Sequence, residues 1–91
     1  MYDLKYSSRF KKDLKLCAKR GYNLKKMEVV LDILASGKPI PEEYHDHPLA
    51  GSHKGPRDLY IEPDWVLIYK IEDNTVILLI TTGTHSDLFK K

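Results

Sequence analysis

The sequence predicts an α+β domain in which a helical hairpin packs on one face of a small antiparallel sheet. Two amphipathic helical stripes precede residue 37, three prolines follow within residues 38–49, and strand-like apolar runs occupy most of the remainder. The predicted element order is βααββββ. Because 91 residues leave no room for a second core, the chain is interpreted as one domain, 1–91.

The first strand and helix are predicted from alternation and from a helical stripe. Apolar residues alternate with charged ones over residues 2–6, and Ser7 or Ser8 can cap a helix that follows. Gly21 is expected to end that helix. Its apolar stripe comprises Phe10, Leu14, Cys17 and Ala18.

The second helix is expected to begin after Asn23, a suitable N-cap, and to end at Ser36–Gly37. Its stripe comprises Leu24, Met27, Val30, Leu31 and Leu34.

Beyond the proline-containing stretch, the pattern becomes that of strands. Turn residues at 62–64 and 72–74 separate apolar runs, and residues 86–89 are compatible with a last helical turn. Trp65 begins the most apolar run and is expected to pack in the core with its indole N–H bonded. Strands are predicted near 49–53, 57–62, 65–71 and 75–82.

Composition is that of an ordinary soluble globular protein, with 42% apolar residues and a net charge of +2. The longest apolar run, Val76–Ile80, is far shorter than the ~20 residues that span a membrane. The N-terminus lacks the apolar region of a signal peptide, and Cys17 has no partner for an internal disulfide. These features favour a cytoplasmic protein.

Charge is distributed unevenly along the chain. Residues 1–26 hold nine cations and two carboxylates, a net +7, whereas residues 27–91 carry a net −5. Such asymmetry suggests a basic face for a polyanion or an acidic partner. A solvated lysine-rich helix explains it equally well.

Four histidines lie in the second half of the chain, and histidine titrates nearest neutrality. RNA cleavage without a metal needs a base for the 2′-OH, an acid for the 5′-oxygen and cations for the charge on phosphorus. His47 and His85 with Asp64 could supply the first two, and Lys54 or Arg57 the third. Surface histidines without a catalytic role are the alternative interpretation.

A metal site is a weaker alternative. His45 and His47 are two residues apart and could share one strand face, with His53 nearby. No cysteine cluster and no further ligand at a recognised spacing accompany them. We therefore predict no metal and no cofactor.

An aromatic residue lies beside two cations near the end of the sequence. Phe89 precedes Lys90 and Lys91, a combination that suits base stacking with phosphate contacts, or alternatively docking of a terminal segment on the core. Tyr60, on the strand face of Asp58 and Glu62, is expected to face solvent or a ligand.

Three ordered motifs identify a resemblance that covers nearly the whole chain. They are D-H-P-L-x-G at 46–51, R-D-x-x-x-E-P-D-W at 57–65 and G-T-H-x-x-L-F at 83–89, after an opening YSSRFKKDLKLCAKRG. In this order they resemble the YafQ-like branch of the RelE/ParE toxin superfamily, the small ribonuclease toxins of bacterial type II toxin–antitoxin pairs. The resemblance implies a RelE-like fold.

The resemblance also implies a metal-independent endoribonuclease that cuts mRNA, in many relatives on the translating ribosome, and that a cognate antitoxin neutralises. The catalytic positions carried over are His47, Asp64, His85 and Phe89. His85 is expected to act as the general acid, Asp64 or His47 as the base, and Phe89 as a stacking platform. The residues expected to contact RNA are Lys54, Arg57, Tyr60, Lys90, Lys91, Lys11, Lys12 and Lys15.

Two departures from the family pattern leave rival functions open. Relatives commonly carry a histidine where this chain has Tyr60, a poor base at neutral pH, and an arginine where it has Thr81. One alternative is a non-nucleolytic relative of the gyrase-inhibiting type. Another is a protein that binds RNA or an antitoxin with weak or lost catalysis.

Overall fold

The computed structural model describes residues 2–49, 55–73 and 75–89. In chain order the elements are β1 (Asp3–Tyr6), α1 (Ser8–Lys19), α2 (Leu24–Ser36), a 3₁₀ turn (Glu42–Tyr44), β2 (His47–Pro48), β3 (Arg57–Glu62), β4 (Trp65–Glu72), β5 (Val76–Gly83) and α3 (His85–Phe89). The predicted βααββββ order is confirmed, with α3 at the predicted last helical turn.

The strands form one sheet in the order β1-β5-β4-β3-β2. The pairs β2–β3, β3–β4 and β4–β5 are antiparallel, as predicted. Strand β1 is the exception, because it pairs parallel to β5 with Asp3 opposite Val76. The helical hairpin and strands β2–β4 lie between these two strands in sequence, a connection long enough for parallel pairing.

The predicted helix boundaries are confirmed by their caps. The Ser7 side chain accepts the Phe10 N–H, and that of Asn23 accepts the Lys25 N–H. Gly21 and Gly37 follow the two helices with φ of +82° and +76°, a backbone conformation that favours glycine.

The core lies between the helical hairpin and one face of the sheet. Alternation places Leu59 and Ile61 of β3 on that face, and Asp58 and Tyr60 on the opposite face. Of the predicted stripe residues, Ala18 and Leu24 are exposed, since they lie at the margins of their helices. The buried core residues are Phe10, Cys17, Met27, Val30, Leu34, Leu59, Ile61, Trp65, Leu67, Tyr69, Ile77 and Leu79.

Strands β3, β4 and β5 lie where the sequence predicts them, whereas the strand expected at 49–53 does not begin at Leu49. Strand pairing occurs earlier, with His47 opposite Asp58 and Pro48 opposite Arg57, and Leu49 already belongs to a turn. The rest of that predicted strand lies outside the described residues. No helix within the described ranges is long and apolar enough to cross a membrane.

Trp65 is 1% exposed, which confirms its predicted core position. Its Nε1–H donates to Thr82 Oγ1 at 3.0 Å, and the Thr82 hydroxyl donates to the Val66 carbonyl at 2.7 Å. The indole therefore joins the start of β4 to the end of β5.

Replacing Ser7 with alanine should lower the free energy of unfolding by about 1–2 kcal/mol. The substitution removes two hydrogen bonds, from the Phe10 N–H to Ser7 Oγ at 2.9 Å and from Ser7 Oγ to the Ile80 carbonyl at 2.7 Å. Urea denaturation measures the change. The neighbouring Ser8→Ala is the control, because Ser8 is exposed and should change stability by less than about 0.5 kcal/mol. Equal effects at both serines would contradict this role for Ser7.

Candidate active site

The candidate active site lies where four segments meet beside the sheet face opposite the helical hairpin. Tyr60 projects from β3 on that face, and Asp64 belongs to the turn between β3 and β4. His85 begins α3 directly after β5, and His47 lies on β2 opposite Asp58 of β3. The fold therefore brings together residues from four separate parts of the sequence.

His85 contacts both Asp64 and Tyr60. Its Nδ1 lies 2.7 Å from Asp64 Oδ1, its backbone N–H donates to the same oxygen at 3.0 Å, and its Nε2 lies 3.1 Å from the Tyr60 hydroxyl. The two donors of His85 hold the pKa of Asp64 below its usual value. An ionised Asp64 thus orients the imidazole, with Nδ1 carrying the proton and Nε2 turned towards Tyr60.

His47 is held by a second carboxylate. Its Nδ1 is bonded to the His45 carbonyl, so Nε2 is the free ring nitrogen, 3.4 Å from Asp58 Oδ2. Asp58 is 4% exposed, and burial raises the pKa of its carboxyl. Its Oδ1 is also buried, with no hydrogen-bond partner among the described residues.

Tyr60 lies between the two histidines. Its ring centroid is 5.2 Å from that of His85 and 5.9 Å from that of His47. The site thus consists of two histidine–carboxylate pairs, His85–Asp64 and His47–Asp58, placed around one phenol. The two carboxylates differ in environment, because Asp64 is largely exposed and Asp58 is buried.

Phe89 lies on the same short helix as His85, one turn further on. The two ring centroids are 5.9 Å apart, with planes inclined by 39°. Phe89 is half-buried and so keeps part of its ring accessible beside the site. The structure therefore places all four predicted catalytic residues, His47, Asp64, His85 and Phe89, in one region.

Arg57 does not join this group. It lies on the opposite face of β3 from Tyr60, where its Nη2 is 3.0 Å from Asp46 Oδ2 and its Nε is 3.3 Å from both carboxylate oxygens. The Tyr69 hydroxyl donates to the same carboxylate. The expectation that Arg57 neutralises charge beside the histidines is therefore not supported by its placement.

The predicted lysines are also not gathered at the histidines. Lys11, Lys12 and Lys15 are exposed on α1, which packs on the other face of the sheet. Thr81, the residue in place of the family's arginine, is buried and donates to Asp13 of α1. The predicted contacts Lys54, Lys90 and Lys91, together with His53, lie outside the described residues.

The sequence did not indicate two groups that belong to the candidate site, the Asp58 carboxyl and the His45 carbonyl. A usable signal for Asp58 is its place inside the predicted strand 57–62, next to Leu59, because a carboxylate that a strand buries needs a compensating partner. The role of the His45 carbonyl is not visible in sequence, since it depends on a φ of +49° at the end of the 3₁₀ turn. Within the described ranges, no group of three or more His, Cys, Asp and Glu side chains has a geometry that could hold a metal.

Comparison with known proteins gives consistent matches over the whole length. Residues 2–90 match the family described as bacterial toxin of type II toxin–antitoxin system, YafQ. The mRNA interferase toxin YafQ of Escherichia coli K12 is 44% identical over 88 residues, which cover 96% of this chain and 95% of that protein.

Solved structures agree with this match. A chain of the E. coli DinJ–YafQ complex is 43% identical with a TM-score of 0.89, covering 98% of this chain and 99% of that one. The metal-bound toxin from Helicobacter pylori is 38% identical with a TM-score of 0.88, covering 98% of this chain and all of that one.

Asp58→Asn should flatten the dependence of stability on pH. Because burial raises the pKa of Asp58 in the folded state, the folded protein binds this proton more tightly than the unfolded chain. The contribution of Asp58 to wild-type stability should therefore fall as pH rises from about 4, the unfolded pKa, through the folded pKa. The variant lacks this decline and should be at least as stable at pH 7.

Urea denaturation between pH 4 and 7 measures this difference. Asp32→Asn, at an exposed position of α2, is the control and should follow the wild-type curve. Parallel curves for wild type and Asp58→Asn would show that Asp58 is not perturbed by burial.

Proposed function

This chain belongs to the YafQ family of bacterial type II toxins, and we propose that it cleaves messenger RNA on the translating ribosome, in the cytoplasm. The observation that carries the proposal is the pair of histidine–carboxylate contacts placed around Tyr60. The name of the E. coli relative, mRNA interferase toxin YafQ, supports the same activity. The two contacts supply a proton acceptor and a proton donor, so the cleavage we propose is metal-independent.

We assign the general acid to His85. Asp64 stabilises the protonated imidazole through Nδ1, which leaves the Nε2 proton for transfer. In the reaction, the 2′-oxygen attacks phosphorus, the bond from phosphorus to the 5′-oxygen breaks, and Nε2–H protonates the departing oxygen. The products are a 2′,3′-cyclic phosphate and a free 5′-hydroxyl.

We assign the general base to His47. Asp64 already accepts two hydrogen bonds from His85, which makes it the weaker of the two candidates for the base. His47 Nε2 has no donor bound to it within the described residues and is half-exposed, and Asp58 at 3.4 Å stabilises the imidazolium that forms when Nε2 takes the 2′-OH proton. Asp58 is then a positioning residue for His47.

Tyr60 supplies a hydrogen-bond donor beside the acid. A phenol cannot replace a histidine as a base at neutral pH, but its O–H needs no change of charge to bind a phosphoryl oxygen. Its contact of 3.1 Å to His85 Nε2 keeps the hydroxyl directed to the place where the leaving oxygen is protonated. We therefore infer that Tyr60 binds the scissile phosphate.

Phe89 and the lysines bind RNA outside the reacting bond. The accessible ring of Phe89 stacks on a base next to the cleaved linkage. Lys11, Lys12 and Lys15 are exposed and contact phosphates of messenger or ribosomal RNA at a distance from the histidines. Lys54, Lys90 and Lys91 are proposed for the same role on the basis of the family resemblance.

The proposed partner that restrains this activity is a cognate antitoxin. The related E. coli toxin is present in a DinJ–YafQ complex. The net charge of +7 on residues 1–26 provides a complementary surface for an acidic segment of such a partner.

Loss of the His85 imidazole and loss of the Tyr60 hydroxyl should reduce cleavage to different extents. His85→Ala should lower kcat about 100-fold or more, because protonation of the leaving oxygen then depends on water. Tyr60→Phe removes only the hydroxyl and should lower kcat by about 10-fold. Mapping of cleavage ends on a ribosome-bound message measures both, together with growth arrest on expression.

Asp32→Asn is the control for these variants, because Asp32 is exposed on α2, on the other side of the sheet from the histidines. Undiminished cleavage by His85→Ala would overturn the assignment of the site. Inhibition of gyrase with messenger RNA left intact would instead establish the non-nucleolytic alternative.

Charge removal on α1 should weaken RNA binding without slowing the chemical step. The triple variant Lys11→Gln, Lys12→Gln, Lys15→Gln should raise KM and leave kcat unchanged, since these side chains lie away from the histidines. Each lost phosphate contact should also reduce the slope of log affinity against log salt by about 0.7–0.9. Lys38 is exposed after α2, so Lys38→Gln is the control for loss of one charge. Each single lysine-to-glutamine change on α1 should raise KM more than Lys38→Gln does.

A further inference from the structure

Helix α3 carries two of the proposed functional side chains but is only five residues long, His85–Phe89. A helix of that length is not stable by itself, so its position depends on contacts with the rest of the protein. Those contacts determine whether His85 reaches Asp64 and Tyr60.

The first turn of α3 is closed by reciprocal hydrogen bonds. The Thr84 N–H donates to Asp87 Oδ2 at 2.9 Å, and the Asp87 N–H donates to Thr84 Oγ1 at 3.1 Å. This is the arrangement of a capping box. Gly83 allows it, because a Cβ there would lie 2.9 Å from Asp87 Oδ2.

Arg20 connects this capped turn to the helical hairpin. It is the C-cap of α1, and its Nη1 and Nη2 lie 2.6 Å and 3.2 Å from the two oxygens of Asp87. The paired guanidinium is the main reason that the pKa of Asp87 lies below its usual value. A bidentate pair of this kind fixes orientation as well as distance.

The same turn between α1 and α2 also contacts Trp65, the residue after Asp64. The Tyr22 ring packs edge-on against Trp65, with centroids 4.9 Å apart, and Trp65 directly follows Asp64. The α1–α2 turn thus touches α3, which carries His85, and the start of β4, next to Asp64.

We propose that Arg20 is a positioning residue for RNA cleavage, which holds α3 through Asp87 so that His85 contacts Asp64 and Tyr60. The inference rests on the proposed function for its effect on catalysis. Side chains in the pair are 36% and 31% exposed, and an ion pair at that exposure contributes little to global stability. Its role is therefore the placement of α3 and not the folding of the domain.

Kinetics of three variants test the effect on catalysis. Arg20→Gln and Asp87→Asn should each lower kcat about 10-fold or more, because a small displacement of the acid slows the reaction, and should change KM less, through the Phe89 ring on the same helix. Arg20→Lys should recover part of the loss, since lysine keeps the charge and loses the bidentate geometry. The double variant Arg20→Gln, Asp87→Asn should be no worse than Asp87→Asn alone, because Arg20 acts through Asp87.

Titration of the Asp64 carboxyl by NMR tests the placement of α3 without any RNA. Two hydrogen bonds from His85 lower the pKa of Asp64, so displacement of α3 in Arg20→Gln should raise it towards the ordinary value. Lys38→Gln removes one cation from the loop after α2 and should leave both this pKa and kcat unchanged.

The outcomes separate this inference from the proposed function. If Arg20→Gln leaves the pKa of Asp64 unchanged, α3 does not depend on Arg20 and the inference is wrong, whatever the activity. If the pKa rises in the variant but wild-type protein does not cleave ribosome-bound messages, the positioning of α3 stands and the proposed function fails.

Discussion

The hydrogen bond from the Trp65 indole to Thr82 is the constraint on which the candidate site depends. In the antiparallel pair β4–β5, the first residues of β4 lie opposite the last residues of β5, with Val66 opposite Gly83. Trp65 and Thr82 are both at most 2% exposed, so this bond is formed away from water. Fixing this end of the hairpin places Asp64, which precedes β4, beside His85, which follows β5.

A shift of this register by one residue would turn the side chains of β5 to the other face of the sheet. The irregularity between Ile68 and Tyr69 shows that β4–β5 does accommodate one offset, further along the hairpin. That offset lies away from the end of the hairpin where Trp65 bonds to Thr82. Packing in the core and the geometry of the candidate site therefore depend on the same pair of strands.

Local features of this fold could be predicted from sequence because local chemistry determines them. Ser7, Asn23 and Gly37 act as caps within one turn of their own helices, and β3 and β4 follow from alternation and turn residues. Parallel pairing of β1 with β5 could not be predicted, because it depends on contacts more than 70 residues apart. Arg57, which the sequence analysis placed in the site, binds Asp46 on the other face of β3.

The two carboxylates of the site show why composition alone could not assign their roles. Asp64 is exposed and accepts two hydrogen bonds, which favour its charged form, whereas burial of Asp58 disfavours its charged form, and its Oδ1 has no hydrogen-bond partner in the part of the chain that the structure describes. Opposite shifts of pKa in neighbouring acids commonly mark a division between acid and base roles. Here each carboxylate lies against its own histidine: Asp64 Oδ1 is 2.7 Å from His85 Nδ1, and Asp58 Oδ2 is 3.4 Å from His47 Nε2. The fold thereby places two histidine–carboxylate pairs, one exposed and one with its carboxylate buried, on either side of Tyr60.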